Sequence, residues 1–442
     1  MSKATTANTI YSPRYRNYAL AILFIGYVVN FIDRSILSIL LEPIKQELLL
    51  SDTELGLLGG LAFAMFYATL GIPIASLADR WSRTKVLAIS MIIWSAMTAL
   101  CGAANNFLML LLARIGVGVG EAGASPPSHS LISDYFPVEK RATALSIYAL
   151  GIPFGSMIGN FVGGWGAAEL GWRMTFLLVG FPGIFVAGII LTTLREPPRG
   201  MSESAAVKAA AAKNDEPAPA LKEVFKFLWQ RKSFRHLGFA AGLHAFVGYG
   251  AGVWNAPFLI RSHEMPITEV GSWLAIISGI GAIGTFGGGY LGDKLSDWTD
   301  DRRWYLWIAG ISTLVMVPFQ FTAYLYDGIW TVIPALAVVS ILGGMYLGPS
   351  FAMTQALVTL RMRAVASALL LFMLNIIGMG LGPYFVGIAS DLLNPSFEIH
   401  SLRYALCLCV LANLWAAVHY FLGATTLRED LDSTEVLMTQ HS

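Results

Sequence analysis

Charge is scarce in this 442-residue chain: Asp, Glu, Lys and Arg make up 13% of it, against about 25% in ordinary soluble domains. A surface bathed in water is poorly served by so little charge. The formal net charge is only +1, which argues against nucleic-acid binding, since that would need a basic patch beyond the inner loops. Cysteine is nearly absent too. Cys101, Cys407 and Cys409 all lie in apolar runs, and the last two point to different faces of one helix, so neither a disulfide framework nor a metal site is implied. A zincin motif, a nucleophile elbow and a phosphate-binding loop are also missing. No enzyme is expected, and no cofactor beyond a proton gradient as energy source.

Hydrophobic residues, by contrast, make up 55% of the chain, gathered into runs of about 20 that suffice to cross a ~30 Å hydrocarbon core. Lipid offers free backbone groups no partner, so such runs must be helices; their length and continuity exclude the short alternating strands of a membrane β-barrel. The expected spans are 18–40, 55–77, 86–103, 107–133, 142–165 and 174–194, then 236–260, 270–291, 306–324, 329–352, 365–390 and 404–422. They make an all-α polytopic membrane protein, twelve transmembrane helices in two pseudo-symmetric six-helix bundles, 18–194 and 236–422. A cytoplasmic N-terminal segment (1–17), a cytoplasmic linker (195–235) and a cytoplasmic tail (423–442) complete the chain. Late in the linker, Leu221, Phe225 and Leu228 recur at helical spacing beside Lys222, Lys226 and Arg231, which fits an interfacial helix or a plain extension toward span seven.

Positive charge stays on the cytoplasmic side of a membrane. With the N-terminus inside, 23 Lys and Arg fall in cytoplasmic segments and only 4, Lys45, Arg173, Arg261 and Arg403, in outer loops. Both termini are therefore expected in the cytoplasm, the membrane being a plasma or inner membrane.

Two six-span halves are the pattern of a transporter built from repeats around a central path. The halves echo each other in Arg141-Ala142 against Arg363-Ala364, and in Phe161-Val162-Gly163 against Phe385-Val386-Gly387. Ionisable residues inside a bilayer are costly, and each is a functional candidate by default. Here they are Asp33 and Arg34 on span one and Arg114 and Glu121 on span four. Counted along each span, Asp33 and Arg114 both lie about 10 Å from the outer end, with Glu121 two turns further inward on the face of Arg114. The result is a ladder of acid, base and acid, in which Asp33 and Glu121 carry protons and Arg114 chooses between them and an anionic substrate. Arg34, turned ~100° from Asp33, either faces the path or snorkels to the headgroups. His129 either extends the proton route inward or is, more commonly, a polar residue near the inner end of a span kinked by Pro126 and Pro127. A permanent salt-bridged network joining spans one and four is the static alternative.

The second half has no such ladder, since an offset of 222 residues puts Glu121 on Gly343 and Arg114 on Leu336. It offers Phe246, Tyr249, Trp254, Tyr346, Phe372 and Met373, with Asn255, Gln355 and Asn375 as uncharged polar points; any one such ring is more often core than pocket, but as a group they suggest an apolar wall. A cavity charged on one wall and apolar on the other suits an amphiphile with an anionic head. At the inner end of span two, Asp79, Arg80 and Arg83 are placed to meet the start of span eleven, where a helix N-terminus welcomes a carboxylate.

The run from Ala75 to Lys85 resembles the loop motif of the major facilitator superfamily, with Ala75 and Ser82 in place of its usual glycines. Arg114, Gly118 and Gly120 match that superfamily's fourth-helix motif, and Gly151, Gly155, Gly159 and Gly163 partly resemble its glycine-rich fifth helix. More narrowly, Asn30 to Arg34, Leu77 to Lys85 and Arg114 to Ala122 resemble the Spinster family of lipid transporters. The superfamily resemblance implies that Asp79, Arg80 and Arg83 latch the halves when the inner side is closed. The Spinster resemblance implies lysophospholipids or sphingoid phosphates as substrates. The expected function is a proton-coupled secondary transporter of lysolipid-like anions working by alternating access, with Arg114 or Arg34 holding the head. A proton-coupled symporter of small organic acids is the alternative; a membrane lipid sensor or a lipid-modifying enzyme is the non-transport alternative. The expected partners are a lipid-like substrate and membrane lipids, with a monomer sufficient for function.

Overall fold

A computed structural model describes residues 11–202 and 221–440. The Ala-rich stretch of the expected linker, 203–220, lies outside the described residues. Helices form every regular element among those described, as backbone in lipid requires. They are α1 (Pro13–Leu48), α2 (Asp52–Arg80), α3 (Arg83–Gly102), α4 (Phe107–Tyr135), α5 (Glu139–Glu169) and α6 (Gly171–Thr193). After a short helix, Leu221–Gln230, come α7 (Lys232–His263), α8 (Ile267–Thr299), α9 (Trp304–Leu325) and α10 (Ile329–Ala356). Then α11 runs through Arg363–Met373, Leu374–Leu381 and Gly382–Phe397, and α12 spans Ser401–Gln440. Each of the twelve expected spans falls on one of these helices. Helix ends are called outer or inner after the orientation expected from the positive charge.

Several helices outrun their apolar runs. Helix α1 continues through Glu42, Lys45 and Glu47 to Leu48, and α8 carries Asp293 and Lys294, expected in a loop, within its helix. Others are interrupted. In α4 the first segment ends at Glu121 and the second starts at Ser125 with Pro in its first turn, the position where a missing N–H costs nothing. Helices α2 and α11 each carry a π-helical turn, Leu57–Leu61 and Leu374–Leu381. Such turns are rare and gather at functional sites.

The chain divides into two compact units. The first comprises Met1–Ile36, Phe66–Gly159 and Leu170–Pro217; the second comprises Leu37–Met65, Asn160–Glu169 and Ala218–Ser442. The second unit thus takes the outer ends of α1, α2 and α5 along with the whole C-terminal half, which departs from a simple cut at the linker. Its inner end is an apolar cluster in which Val224 and Leu228 of the short helix pack with Phe234, Leu306, Leu357, Tyr420 and Leu427. Leu221, Phe225 and Trp229 of that helix remain exposed, so one face packs on the protein and the opposite apolar face is left uncovered.

Candidate functional site

The first unit is built around close approach. Added Cβ atoms on Gly151 and Gly155 of α5 would meet Tyr27 at 3.0 Å and Phe31 Cβ at 2.5 Å, and one on Gly159 would meet Ile32 at 3.0 Å. The glycine face of α5 therefore lies directly on α1 and fixes the stretch that bears Asp33 and Arg34. On the facing side, Gly120 of α4 lies 2.5 Å from the Trp94 nitrogen of α3 at its would-be Cβ. That contact sets the height of Glu121.

Arg34 Nε donates to Glu121 Oε2 at 2.5 Å, with Glu121 wholly buried and the Arg34 side chain 19% exposed. The Arg34 guanidinium also lies over the rings of Phe31 and Tyr67, 5.0 and 4.6 Å from their centroids. Asp33, one residue earlier, turns to Trp94, Thr98 and Arg114, and neither of its buried oxygens has a hydrogen-bond partner. Glu121 Oε1 is likewise without one, and Asn30 stands beside it. Arg114 is 3% exposed and within electrostatic range of both Asp33 and Glu121.

All four membrane charges are thus brought together, and of the two arginines it is Arg34 that forms the ion pair with Glu121. The cause is the length of α1. Measured from its true end at Leu48, Asp33 lies about 22 Å inward, level with Glu121 at about 21 Å from Phe107, while Arg114 sits higher. His129 is exposed and packs edge-on against Tyr148, ring centroids 5.4 Å apart.

Arg83 also has a role different from the one expected of it. Its side chain is 1% exposed and forms ion pairs with Asp134 and with Glu196, the latter at 2.7 Å, while donating to the Pro197 carbonyl at 2.7 Å. Its charge is committed inside its own half, joining α3, α4 and the chain after α6. Burial opposes ionisation of Glu196, but the Thr84 N–H and the Arg83 guanidinium outweigh it and hold that carboxyl below its usual range. Asp79 and Arg80 are exposed, with Arg199 3.7 Å from Asp79.

Among the aromatic candidates, Trp254 takes the core reading and not the wall. It is 0% exposed and its Nε1 donates to the Pro383 carbonyl at 2.9 Å, so it joins α7 to α11 as core. Tyr346 is half-buried and its ring packs, tilted by 32°, against that of His244 with centroids 4.0 Å apart; His244 in turn bonds Thr313 and the Gly343 carbonyl. Phe246 packs on Phe385, and Met373 lies against Gly238. Tyr249 and Phe372 are both 41% exposed. Asn255 accepts from the Tyr324 hydroxyl, and Gln355 bonds Ser367.

A second ionic cluster, at the outer end of the second unit, escaped sequence reasoning. Arg261 of α7 binds Glu42 of α1 at 2.6 Å and grips both oxygens of Asp52 of α2 at 2.8 and 2.9 Å. Lys45 reaches Asp52 at 2.5 Å and the Ser390 hydroxyl donates to it at 2.6 Å. Asp391 of α11 accepts from the backbone N–H of Asp52 and Thr53, at 3.0 and 2.7 Å, and from the Thr53 hydroxyl. The only sequence signal was a handful of charges in what read as short outer loops.

Long apolar helices carrying buried, opposed charges in place of a nucleophile define a polytopic membrane transporter. The chain belongs to the Major Facilitator Superfamily, whose family model matches residues 23–424. It is 33% identical over 95% of its length, and 95% of the relative's, to an MFS-type efflux pump of Mycolicibacterium smegmatis. It is 26% identical to Protein spinster homolog 3 of Danio rerio, over 98% of this chain and 90% of that one. Among solved structures, it resembles a bacterial homolog of the human lysosomal transporter Spinster in an inward-facing, occupied conformation. That match has a TM-score of 0.82 and 33% identity over 95% of this chain and 99% of the other. It is thus a transporter related to Spinster, and not an enzyme.

Proposed function

We propose that the protein carries lysolipid-like anions, lysophospholipids or sphingoid phosphates, by alternating access coupled to protons. The observation that carries this reading is the Arg34–Glu121 pair, an ion pair buried on its acidic side and 2.5 Å long. A carboxylate held away from water is tolerated only while paired. A proton delivered to Glu121 therefore does two things at once: it removes the need for the pair and frees the Arg34 guanidinium for an anionic head, which that planar fork binds in bidentate fashion. Phe31 and Tyr67 keep the freed guanidinium in place by their ring faces. Asp33, buried beside Trp94, Thr98 and Arg114, is the second proton carrier, answering to Arg114. For the tail, the exposed rings of Tyr249 and Phe372 remain candidates for an apolar wall. One chain holds every group the cycle needs, so the working unit is a monomer, set in a plasma or inner membrane with both termini in the cytoplasm. The likeness to Spinster proteins supports the lipid class of substrate.

The test is reconstitution in sealed vesicles with an imposed pH gradient and a fluorescent lysophospholipid, comparing wild type with Glu121→Gln. Gradient-driven lipid movement, lost in the variant, is the expected result. An active preparation that moves small organic acids and no lipid would overturn the substrate class.

A further inference from the structure

We infer that Arg261 is the key of an outer gate, and that the outer path opens only when its guanidinium leaves Glu42 and Asp52. Three observations carry this. First, Arg261 is held by two carboxylates contributed by two different helices, in a cluster where Arg261, Glu42 and Asp52 are at most 13% exposed. Each acid reads it through its own bonds, so the outer ends of α1 and α2 cannot leave α7 without breaking all three.

Second, the surfaces beneath this cluster are shaped for contact of backbone on backbone. An added Cβ on Gly56 would stand 2.6 Å from the Pro383 carbonyl oxygen, and one on Gly60 would stand 2.7 Å from that of Gly380. Gly387 has the Asp52 carbonyl against it. Further along the same outer layer, a Cβ on Gly164 of α5 would meet the Ile267 carbonyl of α8 at 2.7 Å. Such seams pack tightly yet hold few interlocking side chains, so they part without repacking a core. Trp254, with its bond to Pro383 and the Arg261 guanidinium 5.8 Å above its ring, ties the ionic key to the seam.

Third, the two π-helical turns meet here. Gly60 in the turn of α2 faces Gly380 in the turn of α11. A π turn is a local defect in the helical ladder where bending is cheap, and two of them opposed at one contact form a pivot under the lock. Asp391 completes the device by capping the start of α2 from α11, so that the N-terminus of α2 is released only when α11 withdraws.

The inference rests on membership of a transporter family and not on the lipid reading, and its test needs no substrate. Val253 of α7 has its Cγ1 packed 2.8 Å from the would-be Cβ of Gly59, inside the seam. In full-length protein carrying Val253→Cys, labelling by a membrane-impermeant maleimide from outside reports opening. Wild type sets the background, since Cys101 and Cys409 are buried and Cys407 is half-buried. Adding Arg261→Gln should raise the labelling rate about tenfold, the signature of a shifted two-state population. Arg261→Lys should give an intermediate rate. A disulfide between Thr53→Cys and Asp391→Cys, oxidised in the Arg261→Gln background, should return labelling to the wild-type rate. Unchanged labelling in Arg261→Gln overturns the proposal. So does fast labelling that persists after the crosslink has formed, because that is loosening of the fold and not opening of a gate.

Discussion

The molecule holds two ionic clusters of similar composition and opposite condition. At mid-membrane, Asp33, Arg34, Arg114 and Glu121 are crowded together with three carboxylate oxygens lacking any hydrogen bond. At the outer end, Asp52 receives Arg261, Lys45 and Ser390, and its own N–H is received by Asp391. An unsatisfied buried acid is a place where a proton changes the balance of forces; a fully satisfied one is a place where only movement does. Similar residue types therefore serve as a sensor in one region and as a fastening in the other.

Breaking that contrast is the sharpest test of it. Glu121→Gln should abolish the response of transport to a pH gradient, whereas Asp52→Asn should keep the gradient response while raising outside accessibility; vesicle flux and maleimide labelling read the two. Equal loss of gradient coupling in both variants would dissolve the distinction. Arg83→Ala should cost about 3 kcal/mol in stability, because it leaves Asp134 buried without its cation; urea-driven unfolding in detergent checks it, and coupling to protons should persist. Gly155→Ala should cost about 2 kcal/mol by forcing α5 off α1 and should also slow gradient-driven flux, since Arg34 moves with α1. Arg34→Lys should weaken substrate binding about tenfold, the worth of one charge-assisted hydrogen bond, as measured by equilibrium binding of the fluorescent lipid.

The smallest effect is expected at Asp301, an inner loop acid outside both clusters. Hydrogen bonds from Arg303, and then from Arg428, bring its carboxyl down to about 2 from 3.8. Folding is therefore favoured by its ionised form at pH values above its unfolded pKa, and the advantage fades as pH falls from near 4 toward 2. Thermal unfolding of Asp301→Asn should be lower than wild type by about 0.5 kcal/mol at neutral pH, given solvent screening, and should converge with it in acid.

The spans were legible because lipid leaves so little freedom: apolar runs of the right length have one solution. The four membrane charges were legible for the same reason, standing out in runs that should have none. Their pairing was not, because it turns on where α1 ends. Glu42, Lys45 and Glu47 look like a loop, and only packing against α7 shows that the helix continues through them to Leu48. The outer cluster was hidden by distance along the chain, since Asp52, Arg261 and Asp391 carry no common spacing. Trp254 was not legible because a ring in an apolar helix gives no sign of the carbonyl it will face.

The last helix, α12, does not stop at the membrane. Asp430 accepts from the Ser233 amide and hydroxyl at 2.9 and 2.7 Å, Arg231 reaches Ser433, and Leu427 and Leu431 are buried with the short helix before α7. What reads as a tail from residue 423 is thus a strut bracing the entry to the second half. For anyone making the protein, a purification tag or fluorescent reporter joined at residue 422 would cut that strut, and cleavage by proteases near Leu427 would be expected to shorten the life of the purified sample well before any transmembrane helix is touched.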